Sequence, residues 1–127
     1  MRDEVIEWFD QAEYDVDTAE AMFDAGRYIY CVYMCHLAVE KALKALVVKH
    51  TEEMPPRTHN LIFLLKISNA KLSKLGEKYL AVLNTASVAT RYPDQLHMMI
   101  EKYPPEIAGD YLKKAREVIQ CLKEQMM

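Results

Sequence analysis

Glycine is scarce in this sequence, and the three that occur, Gly26, Gly76 and Gly109, are isolated from one another. That excludes a Gly-rich loop whose backbone amides cradle a phosphate, and with it the Walker and dinucleotide-binding fingerprints. There is no His-Glu-x-x-His pair and no nucleophile elbow, so the chemistries that those motifs carry are excluded as well. Cysteine is also sparse: Cys31, Cys35 and Cys121 fit a reducing compartment better than a disulfide framework. Nor is there an excess of positive charge. Sixteen basic residues against 19 acidic ones give a formal net charge of −3, which argues against a strong nonspecific nucleic-acid footprint. Lys66, Lys71, Lys74 and Lys78 form a local basic group that reads as a solvated face.

No apolar run has transmembrane quality. Tyr28 to Val48 has the length, but Glu40, Lys41 and Lys44 fall where the bilayer would lie. The N-terminal stretch MRDEVIEWFDQAEYD is acidic and lacks a signal-peptide pattern, so a cytoplasmic protein is expected. At 127 residues, 51% of them hydrophobic and 28% charged, the chain is expected to form one globular domain over residues 1–127. Strand-like alternation never exceeds four residues, and no repeat is present.

What the sequence does have is helical periodicity. From Asp3 to Ala25, Val5, Phe9, Ala12, Val16, Ala19 and Phe23 recur at alternating steps of four and three. Glu7, Glu13, Asp17, Glu20 and Asp24 lie off that stripe. Gly26 is the expected stop. Arg27 to His50 follows after almost no loop, which predicts an antiparallel hairpin. Thr51 to Asn60 is a loop, because Pro55 and Pro56 cannot continue a helix, with Thr58 or Asn60 placed to cap the next one. A short apolar helix, Leu61 to Ala70, precedes a helix capped by Ser73, Lys74 to Thr90, with Leu75, Tyr79, Val82, Leu83 and Ala86 on one face. Arg91 to Pro105 is a loop or a short irregular helix. Pro105 suits the first turn of a last helix, Glu106 to Gln125, striped by Tyr111, Ala115, Val118 and Leu122. The expected fold is all-α: an up-and-down antiparallel bundle of four main helices plus a short fifth.

The second helix carries the strongest signal. YIYCVYMCHLAVEKALKALVVKH (Tyr28 to His50) is apolar nearly all round, which places it in a core or against a second subunit. Its inner two thirds hold only His36, Glu40, Lys41 and Lys44 as polar side chains, and His36, Glu40 and Lys44 share one face. Unpaired charge is expensive to bury, so these residues are paired, at the rim or functional. His36, Glu40 and Lys44 form a buried polar network or an ion pair that positions something, although Glu40 before Lys44 is also an ordinary helix-stabilising pair. The mainly structural role is favoured, with Glu40 the stronger functional candidate. Cys31, Cys35 and His36 have the spacing of a metal half-site. No second ligand pair accompanies them, so both cysteines read as small buried apolar groups, and no metal or cofactor is expected. His59, between Thr58 and Asn60 at a loop-to-helix junction, is either a local hydrogen-bonding group or functional. Arg91 and His97 enclose RYPDQLH. Such a pair can cleave RNA without metal: the histidine moves protons at the 2′-hydroxyl and leaving oxygen, and the arginine stabilises charge at phosphorus. The same spacing also arises by chance in an exposed loop.

Taken in order, Gly26-Arg27-Tyr28, Ala38 to Ala45 (AVEKALKA), Pro55 to Leu61 (PPRTHNL) and Arg91 to Asp94 (RYPD) resemble a HEPN domain, the higher eukaryote and prokaryote nucleotide-binding domain. The resemblance spans nearly the whole chain. It implies a homodimer of bundles of about five helices, and a nucleotidyltransferase-family protein as partner in a toxin–antitoxin-like system. It also implies, for many members, a metal-independent endoribonuclease whose Arg-x4–6-His motifs meet across the dimer interface; Arg91 and His97 fit that spacing. Tyr92 and Pro93 replace the small polar residue that usually follows the arginine, and proline alters the backbone path there. The first reading is therefore a nucleotide- or polyanion-binding partner subunit, using Arg91, Tyr92, His59, Glu40 and Lys44. The alternatives are an RNase toxin with Arg91 and His97 as catalytic residues, and a purely structural dimerisation module.

Overall fold

The computed structural model of the protein describes residues 2–91 and 96–126. Among them the chain forms six helices and no strand: α1 (Arg2–Asp24), α2 (Tyr28–Thr51), α3 (Leu61–Ser68), α4 (Lys74–Arg91), α5 (Leu96–Lys102) and α6 (Pro105–Glu124). The bundle expected from periodicity is present. The segment after Arg91, open between loop and short helix in the sequence, holds the seven-residue α5.

The α1–α2 reversal follows from local chemistry. Gly26 takes the left-handed conformation (φ +76°), its N–H donates to the Phe23 carbonyl at 3.0 Å, and Arg27 N–H donates to the Met22 carbonyl at 2.7 Å. This is a Schellman closure, which satisfies carbonyls that the helix end leaves unpaired. A side chain at position 26 would be strained by that φ, although nothing crowds the site. Val5, Phe9, Ala12, Val16 and Ala19 then lie buried against α2, as their spacing predicts.

Helix α2 runs through the middle of the bundle, packed by α1, α3, α4 and α6. Its apolar character on every side has that cause. Val32, Val39, Leu43 and Val47 are all but fully buried, each contributing about 2 kcal/mol of transfer free energy. Pro105 opens α6 in its first turn, where a missing N–H is harmless. Ala115, Val118 and Leu122 are buried as expected, with Ala108 and Ile119 added to them; Tyr111 is half-buried.

The inner face of α4 differs from the expected one. Tyr79, Leu83 and Ala86 are buried, but Leu75 is 80% exposed and Val82 43%. Leu80, Ser87 and Thr90 take their places inside. Thr90 can be buried because its hydroxyl donates to the Ala86 carbonyl at 2.8 Å, within the helix. A pattern search that favours apolar residues passes over such self-satisfied positions.

Candidate functional site

Four α2 side chains at steps of three, four and four, Tyr33, His36, Glu40 and Lys44, form one line along the helix. Glu40 is only 4% exposed, and its carboxylate is satisfied from two sides. Lys44 Nζ donates to Oε2 at 3.0 Å, one helical turn along. His59 Nδ1 donates to Oε1 at 2.8 Å, from the loop that leads into α3. Lys44 itself lies 5.8 Å from the centre of the Trp8 ring of α1, a cation–π distance. Buried charge is tolerated here because it is paired and hydrogen-bonded.

His36 holds the same loop residue by its backbone. Its Nε2 lies 3.0 Å from the His59 backbone carbonyl, which can only accept, so the proton sits on Nε2. Its Nδ1 is buried without a hydrogen-bond partner among the described residues and lies 3.8 Å from Glu40 Oε1. Burial lowers the imidazole pKa, and the nearby Arg91 and His59 charges push the same way, against opposing contributions from Glu40 and the His59 carbonyl. His36 is a neutral, structural histidine.

Above this line lies a groove of about 320 Å³, lined by His59, Asn60, Asn84, Ser87, Val88 and Arg91. Asn60 caps α3: its Oδ1 accepts from Ile62 N–H at 3.1 Å and Phe63 N–H at 3.2 Å. The same oxygen accepts from Asn84 Nδ2 at 3.0 Å, while Asn84 Oδ1 accepts from Leu61 N–H at 2.9 Å. These bonds fasten the start of α3 to α4 and fix the groove's width. Arg91, in the last turn of α4, stacks its guanidinium over the Tyr33 ring at 5.4 Å, and its Nε is buried with no hydrogen-bond partner among the described residues. Such a group suits an anion that brings acceptors with it.

The sequence candidates therefore divide. Arg91 and His59 share the groove, and Glu40 backs His59 from beneath. Lys44 lies one turn further, behind Glu40, and lines no part of the groove. His97 is exposed on α5 and is not among the groove's lining residues. Tyr92 lies outside the described residues. Cys31 and Cys35 are buried beside one another, and among the described residues no three His, Cys, Asp or Glu side chains are grouped to hold a metal. Sequence reasoning missed Tyr33, Asn84 and Ser87. Asn84, Ser87 and Arg91 do recur at helical steps along α4, which was the available signal. No helix among the described residues is long and apolar enough to cross a membrane.

A larger cleft of about 660 Å³ lies between α4 and α6, lined by Leu75, Val82, Ile107, Tyr79 and Tyr111 among others. Size favours it, chemistry does not. Its walls are mainly apolar, and its exposed Lys114 is already paired with Asp110 at 3.0 Å. The smaller groove has the converging polar groups that mark a ligand site.

Comparison with known proteins gives consistent results. A family model described as the HEPN domain matches residues 5–125. The chain is similar to "Putative toxin MJ1304" of Methanocaldococcus jannaschii, at 30% identity covering 90% of this chain and 82% of that protein. Among solved structures it is similar to TT1696 from Thermus thermophilus, with a TM-score of 0.81 at 21% identity, covering 94% of this chain and 96% of that one. It is also similar to ST0689, an archaeal HEPN homologue, with a TM-score of 0.77 at 23% identity over 97% of this chain and 98% of the other.

Proposed function

The chain belongs to the HEPN domain family, and on that premise we propose that it is a homodimeric subunit that binds a nucleotide or other phosphate-bearing polyanion in the Arg91–His59 groove, as one half of a toxin–antitoxin-like pair. The observation that carries this reading is the convergence of Arg91 and His59, from elements far apart in sequence, on one groove backed by a buried carboxylate. Among the described residues Arg91 Nε has no hydrogen-bond partner, which leaves it a donor for a phosphate. The relative named as a toxin supports the toxin-like setting, and the family resemblance supports a nucleotidyltransferase-family partner. The test is fluorescence anisotropy of a labelled oligouridylate with the wild type and Arg91→Gln at one fixed salt concentration. Wild-type binding that weakens about tenfold in the variant is expected from loss of one charged phosphate contact. Equal binding by both proteins would contradict the reading.

A second reading is the metal-independent endoribonuclease, and α5 is the observation in its favour. Leu96, Met98 and Ile100 are exposed beside His97 on a helix with no buried residue. A second copy packed on that surface would bring a second His97 towards the Arg91 end of α4. Cleavage of cellular RNA in EDTA by the wild type, abolished in His97→Ala, would establish this reading in place of the first.

A further inference from the structure

We propose that His59, held in one tautomer by Glu40, is the residue with which the groove reads a ribose hydroxyl beside a bound phosphate; this rests on the groove being the phosphate site. The proton on His59 is located by its partner. Glu40 Oε1 accepts, so Nδ1 carries the hydrogen of the 2.8 Å bond, and Nε2 is the ring nitrogen left to accept from a ligand. The side chain is 57% exposed and lines the groove, so the ring edge remote from the buried carboxylate is the one presented there. This is no freely turning surface imidazole. Its carboxylate partner is pinned by Lys44 at 3.0 Å, and its own backbone carbonyl is held by His36 Nε2 at 3.0 Å. A carboxylate fixing the tautomer of an exposed histidine is the arrangement that aims an acceptor at a hydroxyl.

The rest of the wall makes that acceptor matter. Asn60 Oδ1 already accepts from Ile62, Phe63 and Asn84, and Asn84 Oδ1 accepts from Leu61. Both carboxamide oxygens are therefore engaged, whereas Arg91 offers donors alone. A ligand that satisfies the groove brings an anion for Arg91 and an O–H for His59. A ribonucleotide unit has both, since its 2′-hydroxyl lies next to the 3′-phosphate; a deoxyribonucleotide unit has only the anion. A volume of about 320 Å³ is at the low end for ligand cavities and suits one sugar-phosphate unit. Sites that hydrogen-bond a substrate hydroxyl discriminate against the analogue lacking it, because their own polar group is then left unpaired.

The test compares a uridylate 12-mer with the deoxyuridylate 12-mer of the same length, by anisotropy at one salt concentration, with the wild type, His59→Ala and Arg91→Gln. The expected result is about tenfold tighter wild-type binding to the RNA. His59→Ala should remove the preference, bringing the RNA and DNA affinities together, while Arg91→Gln weakens both and keeps the preference. Equal wild-type affinity for the two polymers, both weakened by Arg91→Gln, would overturn the role of His59 and leave the phosphate groove standing. Binding of neither polymer would overturn the groove and this inference together. A ribose preference that survives in folded His59→Ala would also overturn it. The ring nitrogens of wild-type His59 give a readout free of any variant: the Nε2 resonance should move with the RNA and stay with the DNA, and the reverse would sink the proposal.

Discussion

Glu40 and His59, 19 residues apart in the chain, are joined by a 2.8 Å hydrogen bond that ties the middle of α2 to the loop before α3. On the other side the same carboxylate holds Lys44. One buried charge thus orders an exposed imidazole, a lysine and a loop at once, and its removal separates these roles.

Glu40→Gln leaves the shape and removes the charge, so the Lys44 ammonium, with 11% of its side chain exposed, loses its counter-charge. Removing one partner of a buried pair costs about 3 kcal/mol. Urea unfolding should show a loss of that order, with a smaller loss in the double variant Glu40→Gln/Lys44→Met. A single-variant loss below about 0.5 kcal/mol, the range of surface pairs, would show that the network carries no stability.

The depressed pKa of His36 sets a pH dependence. Burial is its largest cause. In the unfolded chain the imidazole regains its ordinary value of 6.5, so over the interval below that value the unfolded state binds more protons than the folded one. Stability then rises with pH across the interval, is fully present above about pH 6.5, and is lost as pH falls towards the folded-state pKa. Urea midpoints should drop between about pH 7.5 and about pH 5.5 in the wild type, and drop less in His36→Gln, which has no group to protonate. An equal drop in both proteins would assign the effect to other groups.

Helix α5 tests the dimer. Leu96, Met98 and Ile100 are 50%, 64% and 52% exposed. A patch of this kind marks an association surface. Sedimentation velocity should find a dimer for the wild type and a monomer for Met98→Glu/Ile100→Glu, with the helical circular dichroism unchanged. A dimer that persists in the variant would place the interface elsewhere.

Much of the bundle was legible because its cause is periodic. The α1 stripe, the Gly26 stop, the Asn60 cap and the all-round apolar α2 each follow from local sequence and are found where expected. The His36–Glu40–Lys44 line was visible for the same reason. The missing half of the site depends on long-range contact. That Glu40 takes its second hydrogen bond from His59, and that Arg91 rests on Tyr33, follows from how α3 and α4 dock on α2. Polar residues at helical steps, such as Asn84 and Ser87, look like a solvent face until that docking is known. Leu75 and Val82 mislead in the opposite direction: apolar and well spaced, they line an open cleft. His97 satisfies a motif by spacing, whereas the histidine that shares the groove with Arg91 is 32 residues earlier in the chain.

The most direct measurement is an NMR titration of isotope-labelled protein with uridine 3′-monophosphate, following the Arg91 Nε–H signal and the side-chain amides of Asn60 and Asn84. The phosphate-groove account predicts that these three move together and saturate, with the Arg91 signal moving most. Unmoved signals there, with shifts confined to Tyr79, Tyr111 and Lys114 of the α4–α6 cleft or absent altogether, would contradict it.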